Sequence, residues 1–430
     1  MSAAAGSDAR QRKRDFWIFF GGQTVSNLGT SFTLFALPLL VYNLTHSALN
    51  LAVTTVSEFL PYLLFGLVIG AWVDRVQRKR LMLLTDLTRV VVIGSVPVAA
   101  VLGRLTVEWI YAVGFVASTL SIVFSAGEFA AIPSLAGPDD LVTANGRIQA
   151  SYSAAQVMGP LVAGALVAAL PVATFMGFDA LSFALSAGSL ALIRTSFNAV
   201  EQQQARAHIL RDVADGLRYV LGHPVLRNIS AMMALVNFVA TTAGTQLVLF
   251  AEVRLGASNS QVAWLYSAGS IGVVALSLLA GGLRKRWTFS QVALGALAIS
   301  GLVLALLAVQ RTYWVGLALW AIYSGLGILF NINTSSLRQA IVPNALLGRV
   351  MSIAGVLAWS AIPVGAFLGG VIIQDTGNVV LVYAAMGLLV FLIPLLFAFT
   401  ALGHAERYLP KPEPDMAPTE QAVAPAPAEA

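Results

Sequence analysis

The sequence predicts an all-α integral membrane protein, with twelve transmembrane helices forming two pseudo-symmetric six-helix bundles, and three observations predict it. The first is composition: 58% of the 430 residues are hydrophobic, only 10% are charged and the mean hydropathy is +0.80. A soluble domain carries roughly a quarter charged residues. The second is the division of the chain into twelve apolar stretches, each near the ~20 residues that a helix needs to cross the hydrocarbon core. The third is the placement of lysine and arginine on alternate connections.

The twelve stretches cover 16–42, 48–72, 81–102, 107–127, 146–170, 172–193, 227–251, 261–283, 288–309, 313–334, 350–373 and 379–402. The fifth and sixth are separated only by Leu170-Pro171, but fused they would be far too long for one span. With both termini on the cytoplasmic side, 21 of the 25 basic residues fall on inner connections, as basic residues in short loops do. Only Arg104, Arg254 and Arg311 fall outside, and Arg89 sits within the third stretch. A miscounted span in the first half would invert the later loops and spoil that partition. The apolar run at the N-terminus is long and lacks a small-residue cleavage site, so it reads as a span and not a signal peptide.

The one long polar interruption, Thr195 to His223, divides the spans six and six. The organisation read from this is a cytoplasmic N-terminal tail (1–15), a first bundle (16–194), a linker (195–225), a second bundle (226–403) and a disordered tail (404–430). Within the linker, Ile209, Leu210, Val213, Leu217, Val220 and Leu221 recur at helical spacing between charged residues, the pattern of an amphipathic helix on the inner membrane face, although a plain connector accounts for it equally. A weak repeat relates the halves. The Gly146-Arg147 and Gly348-Arg349 pairs each precede a proline, Pro160 and Pro363, at similar distance.

The chain has no cysteine, which excludes disulfides and thiol chemistry. It has no G-x-x-x-x-G-K-[ST] phosphate loop, no H-E-x-x-H and no G-x-S-x-G, and its four histidines fall in predicted connections. An enzyme is therefore not expected, nor are a metal, a cofactor or a nucleic-acid partner.

At the inner end of the second span the chain reads Gly70-Ala71-Trp72-Val73-Asp74-Arg75-Val76-Gln77-Arg78-Lys79. This resembles the loop signature of the major facilitator superfamily, G-x-x-x-D-R-x-x-R-[KR], at every specified position. Positive-inside topology alone would explain the basic residues but asks for no acid at Asp74. The corresponding loop of the second half, Gly281 to Arg286, lacks the acid. In the fifth span, Ala155-x-x-x-Gly159-Pro160-x-x-Ala163-Gly164 is similar to the superfamily's antiporter motif with two glycines replaced, and close helix packing would use the same small residues. Asp86-x-x-Arg89, Ala144-Asn145-Gly146-Arg147, Gly216-Leu217-Arg218-Tyr219, Arg338-Gln339 and Val342-Pro343 extend the resemblance, over about 15–402, to the drug:proton antiporter branch with macrolide efflux and enterobactin export proteins.

The resemblance implies the major facilitator fold, alternating access, the proton gradient as energy source, and a central cavity lined by the first, fourth, seventh and tenth spans. Polar candidates for that cavity are Gln23 and Asn27, then Asn237, Thr241 and Gln246, then Trp320, Ser324 and Asn331, all of which could instead join helices to one another. Few charges among aromatic and amide groups suit an amphiphilic organic substrate. Ionisable groups at membrane depth are costly, and Glu58 and Asp179 are the proton-coupling candidates, Glu58 lying deeper. Asp86 and Arg89 form an i, i+3 pair that would shape the inner gate. The reading is a proton-coupled exporter of drug-like compounds or secreted metabolites such as a siderophore. An importer of the same superfamily and a non-transporting receptor are the alternatives. A monomer among membrane lipids, with proton and small molecule as its partners, is the expected working unit.

Overall fold

The computed structural model describes residues 2–73, 76–136, 140–198 and 209–408. Helices dominate it and no strand occurs among the described residues. The first half contains α1 (Ser2–Thr45), α2 (Ala48–Val73), α3 (Arg78–Val101), α4 (Val107–Ala136), α5 (Leu141–Leu166) and α6 (Ala173–Leu192). The linker forms α7 (Ile209–Gly222), on the segment whose apolar periodicity predicts an amphipathic helix. The second half contains α8 (Pro224–Thr245), α9 (Leu247–Leu255), α10 (Asn259–Arg286), α11 (Phe289–Val309), α12 (Tyr313–Ile341), α13 (Asn344–Trp359), α14 (Ala361–Thr376) and α15 (Val379–Ala398).

Eleven segments are long and apolar enough to cross a membrane. The twelfth passage is α5, whose first turns carry Asn145, Arg147 and Gln149 and dilute its hydropathy. The count of twelve passages therefore stands, with the seventh and eleventh each made of two helices. The seventh breaks between α8 and α9 at Gln246 (φ −98°, ψ 13°), and the eleventh between α13 and α14 at Ser360. Local chemistry sets several ends. Ser258 and Thr288 cap α10 and α11 with reciprocal bonds to Gln261 and Gln291, and Gly256 and Gly377 end α9 and α14 at φ 63°.

Both halves use one pairing scheme. In the first, α1 packs on α5 and α6, α3 on α4 and α6, and α2 on α4; in the second, α8 packs on α14 and α15, α11 on α12 and α15, and α10 on α12. Glycine permits close crossings among these: a Cβ on Gly387 of α15 would meet Ala305 Cα of α11 at 2.8 Å. Tyr383 of α15 stacks on Phe250 at 4.3 Å between ring centres and donates its hydroxyl to the Ala243 carbonyl at 2.7 Å. That bond satisfies a buried phenol near the point where α8 ends. Large apolar side chains, among them Val91, Leu278 and Leu396, are exposed around the bundle, a surface that suits lipid tails.

The chain stays ordered through Tyr408, beyond Gly403 where the sequence reading ends the second bundle. Ala401–Tyr408 forms a 3₁₀ segment docked on the start of α11, where Glu406 accepts from Ser290 N at 3.1 Å and Ser290 Oγ at 3.0 Å. Disorder from residue 404 is thus corrected over 404–408; the remainder of that tail lies outside the described residues. At the other terminus α1 takes in most of the stretch read as a tail.

Candidate functional site: the cleft between the halves

The two halves meet at the end of the bundle opposite the termini. Among the described residues four hydrogen bonds join them: Ser47 Oγ with Gln374 Oε1 (3.1 Å), Thr55 Oγ1 with Thr245 Oγ1 (3.2 Å), Gln246 Nε2 to Ala48 O (2.8 Å) and Ser270 Oγ to Gln156 O (2.8 Å). The first three lie where α2 begins and α8 and α14 end, and the fourth further along the bundle on α5 and α10. Small residues allow the approach, since a Cβ on Gly164 of α5 would meet Ala263 Cβ of α10 at 2.8 Å. Toward the terminal end no hydrogen bond between described residues joins the halves, and a cavity of about 310 Å³ opens between α2, α4 and α13. Phe59, Tyr62 and Ile122 line it from one half, Met351 and Trp359 from the other. Tyr62 and Trp359 meet edge to face with ring centres 6.2 Å apart.

Pro160 has a specific part in the contact between the halves. A helical carbonyl is normally taken by the N–H four residues on, and proline has none. Gln156 O is therefore left without its helical donor by Pro160, and Ser270 of the other half supplies one. Gly159 meanwhile packs against Ser31 of α1. The helix 5 motif thus combines close packing inside its own half with a free acceptor aimed at the other.

Glu58 lies on α2 one position before the cavity residue Phe59. Its side chain packs against α4, where a Cβ on Gly114 would stand 3.7 Å from Glu58 Cγ, and its main-chain carbonyl accepts from Ser118 Oγ. Its carboxylate has no hydrogen-bond or ionic partner among the described residues. Asp179 is placed differently. It is buried inside the first bundle, where Thr33 Oγ1 donates to Oδ2 at 2.5 Å and Ser182 Oγ to Oδ1 at 3.3 Å. Asp86 and Arg89 are buried too and pair at 3.5 Å. Ser186 Oγ donates to Asp86 Oδ2 at 2.7 Å, and the Arg89 guanidinium lies 5.0 Å from the Phe124 ring centre and 4.9 Å from that of Phe183. Serine supplies the carboxylate's extra donor and the rings cover the cation, which is how a buried pair offsets its desolvation.

In the loop signature, Gly70 belongs to α2, and Asp74 and Arg75 lie outside the described residues. Arg78 and Lys79 turn to the end of α6. Arg78 donates to Phe197 O at 3.2 Å and from its main chain to Asn198 Oδ1 at 3.1 Å, and Lys79 Nζ donates to Ile193 O. Cations on the last carbonyls of a helix are favourably placed. The basic loop therefore holds the segment from which the linker leaves.

The polar cavity candidates separate into two groups. Gln23 turns into the first bundle and donates to Ser186 Oγ at 3.2 Å, while Asn237 ties α8 to α13 by donating to Ala358 O at 2.8 Å. Gln246 is buried in the contact between the halves, and Trp320 packs against α10 beside Gly269. Asn27, Thr241 and Ser324 are half-buried, and Asn331 is exposed. Sequence reasoning missed Ser186 and Ser270. No local signal marks a serine as the partner of an acid 100 residues away or of a carbonyl freed in another helix.

Comparison with known proteins accords with this geometry. Residues 6–424 match the family model described as transmembrane secretion effector. Among relatives, the multidrug efflux pump Tap of Mycolicibacterium fortuitum is 26% identical over 84% of this chain and 89% of its own. Macrolide efflux protein A of Streptococcus pyogenes is 26% identical over 85% and 91%, and the enterobactin exporter EntS of Citrobacter koseri 25% identical over 89% and 91%. A bacterial homologue of the lysosomal transporter Spinster, solved inward-facing and unoccupied, superimposes with a TM-score of 0.73 at 14% identity, covering 94% of this chain and 99% of that one. With a family match across nearly its whole length and a two-bundle helical fold closed at one end, the chain belongs to the transmembrane secretion effector family of major facilitator transporters and is a multi-pass membrane protein, not an enzyme.

Proposed function

We propose that the protein is a proton-coupled exporter of amphiphilic small molecules, working as a monomer by alternating access in a bacterial inner membrane. The bundles 16–194 and 226–403 rock against each other, and the linker 195–225 joins them. Both termini lie on the cytoplasmic side, so the described state is closed outward and open inward. The observation that carries this reading is the juxtaposition at the cleft: the hydrogen bonds between described residues of the two halves lie at the far end and further along the bundle on α5 and α10, with none toward the terminal end, and Glu58, a carboxylate without a partner among the described residues, lies on α2, the helix that lines the cavity with Phe59 and Tyr62. Export by the relatives supports the direction.

Glu58 carries the proton, because a carboxylate at membrane depth with no counter-ion exchanges one most readily when the cleft reaches water. Asp179, Asp86 and Arg89 are already satisfied by partners inside the first bundle and hold it together. Asp74 and its basic neighbours form the inner gate. The test is dye or antibiotic uptake into everted vesicles under an imposed proton gradient, comparing the wild type with Glu58→Gln and Asp74→Asn. Glu58→Gln abolishes uphill movement but leaves downhill exchange. Normal uphill movement in that variant removes Glu58 from the role, and no gradient-dependent movement of any compound overturns the exporter reading.

A further inference from the structure

We infer that Arg338 is the binding site for an acidic group on the transported molecule, so that the substrate is an amphiphilic organic anion. This rests on the exporter reading and names the class of substrate that such an exporter would carry. Arg338 lies in the last turn of α12 with only 4% of its surface exposed. Its one side-chain partner among the described residues is the Met233 sulfur of α8, at 3.1 Å, and its Nε has no partner. No carboxylate among the described residues reaches it. One turn before Met233 on α8, Ser230 Oγ is also buried and unpartnered.

The position on α12 aims this group at the interior of the protein. Ser324, Asn331 and Arg338 recur at seven-residue intervals and share one helix face, while exposed Val315 and Ile322 occupy the opposite, lipid-suited face. Asn331 is exposed about 10 Å along the helix from Arg338. The stripe thus runs from the arginine to an open amide.

Two simpler roles do not account for the arginine. A cation that complements a helix C-terminus or marks the cytoplasmic side does so from solvent, as Lys285 and Arg286 do at the end of α10. Nor is it half of a structural pair, as Arg89 is with Asp86. A buried guanidinium without an anion is a large standing cost, which an arriving carboxylate or phosphate relieves through two parallel N–H···O bonds. The same chemistry is present in an anionic lipid headgroup, and the experiment separates the two sources.

Binding of two xanthene dyes of similar size, anionic carboxyfluorescein and cationic rhodamine 123, is measured by fluorescence anisotropy on the purified full chain. Arg338→Gln and Arg338→Lys are compared with wild type after thermal melting confirms that they are folded. The expected result is that Arg338→Gln weakens carboxyfluorescein binding by about tenfold to a hundredfold, that Arg338→Lys recovers part of it, and that rhodamine 123 binding does not change. Equal carboxyfluorescein binding by wild type and Arg338→Gln overturns the inference. So does a wild type that binds only rhodamine 123, and so does dihexanoyl phosphatidylglycerol binding that depends on Arg338 with no competition from carboxyfluorescein. Gradient-driven uptake in vesicles is read separately: movement of rhodamine 123 alone leaves the exporter reading standing without the anion site, and movement of neither dye removes both.

Discussion

The two halves share a pairing scheme and differ in what they bury. The first half keeps each passage in a single helix and encloses a polar network, with Asp179 held by Thr33 and Ser182, and Asp86 by Arg89 and Ser186. The second half breaks two passages, at Gln246 and Ser360, and the most buried cation among its described residues is Arg338, which has no described ion-pair partner. The difference teaches that a shared pairing scheme fixes where the helices sit and not how each bundle is held. The first half is fastened by polar side chains across three helices, and the second by close-packed glycines and aromatic contacts around bent ones.

Breaking the fastening tests the comparison most severely. Asp86→Asn leaves Arg89 buried without its counter-charge and costs about 3 kcal/mol, read as a lower melting temperature in detergent. Asp86→Asn combined with Arg89→Met recovers most of the loss, because the orphan charge is gone. A double variant as unstable as the single one would show that the pair is not what fastens the half.

A smaller effect is expected where the halves touch. Pro160→Ala restores an N–H that competes with Ser270 for Gln156 O and shifts the population from the closed far end by roughly 1 kcal/mol, several-fold. The chain has no cysteine, so spin labels at Thr106→Cys and Arg311→Cys report the separation directly. Unchanged distance distributions would mean that small-residue packing alone keeps that end shut.

The smallest effect is at the terminal end of the second half. Burial acts to raise the Glu406 carboxyl, but hydrogen bonds from the main chain and hydroxyl of Ser290 and from Thr288 outweigh it and hold the carboxyl below the ordinary 4.5. The docking it provides is therefore complete above that value and fades as pH falls through the lowered one. Glu406→Gln removes about 0.5 kcal/mol after solvent screening, seen as faster hydrogen exchange over 401–408 at pH 7. Exchange that is unaffected there would leave the packing of Leu402 and Ala405 and their main-chain bonds with Ser290 Oγ as the anchor.

Much of the fold was legible because the length and apolarity of a membrane passage are properties of one stretch of chain. Even α5, too polar to stand out alone, was placed by the spacing around Leu170-Pro171. The breaks at Gln246 and Ser360 were only partly legible: Pro363 withholds the N–H that the Trp359 carbonyl would take and Gly244 lies two residues before Gln246, but neither residue alone says that a passage divides there. In the candidate site, periodicity grouped residues onto a helix face without saying where that face looks. Gln23 turned to α6 and Asn331 to open space, although both belong to polar stripes. The role of Pro160 was half visible. The close packing of small residues around Pro160 could be read from the sequence, whereas the carbonyl that the proline frees acquires meaning only when Ser270 stands opposite.

That carbonyl gives the transport cycle a preferred resting point. When the far end parts, Gln156 loses the Ser270 hydroxyl and its own helix has no N–H to offer in return. A bare carbonyl in an apolar setting costs about 1–3 kcal/mol until water fills the gap. Hydration of that one spot would then set how long the state with the far end parted lives, making its dwell time sensitive to osmotic stress in a way that the opposite state's is not.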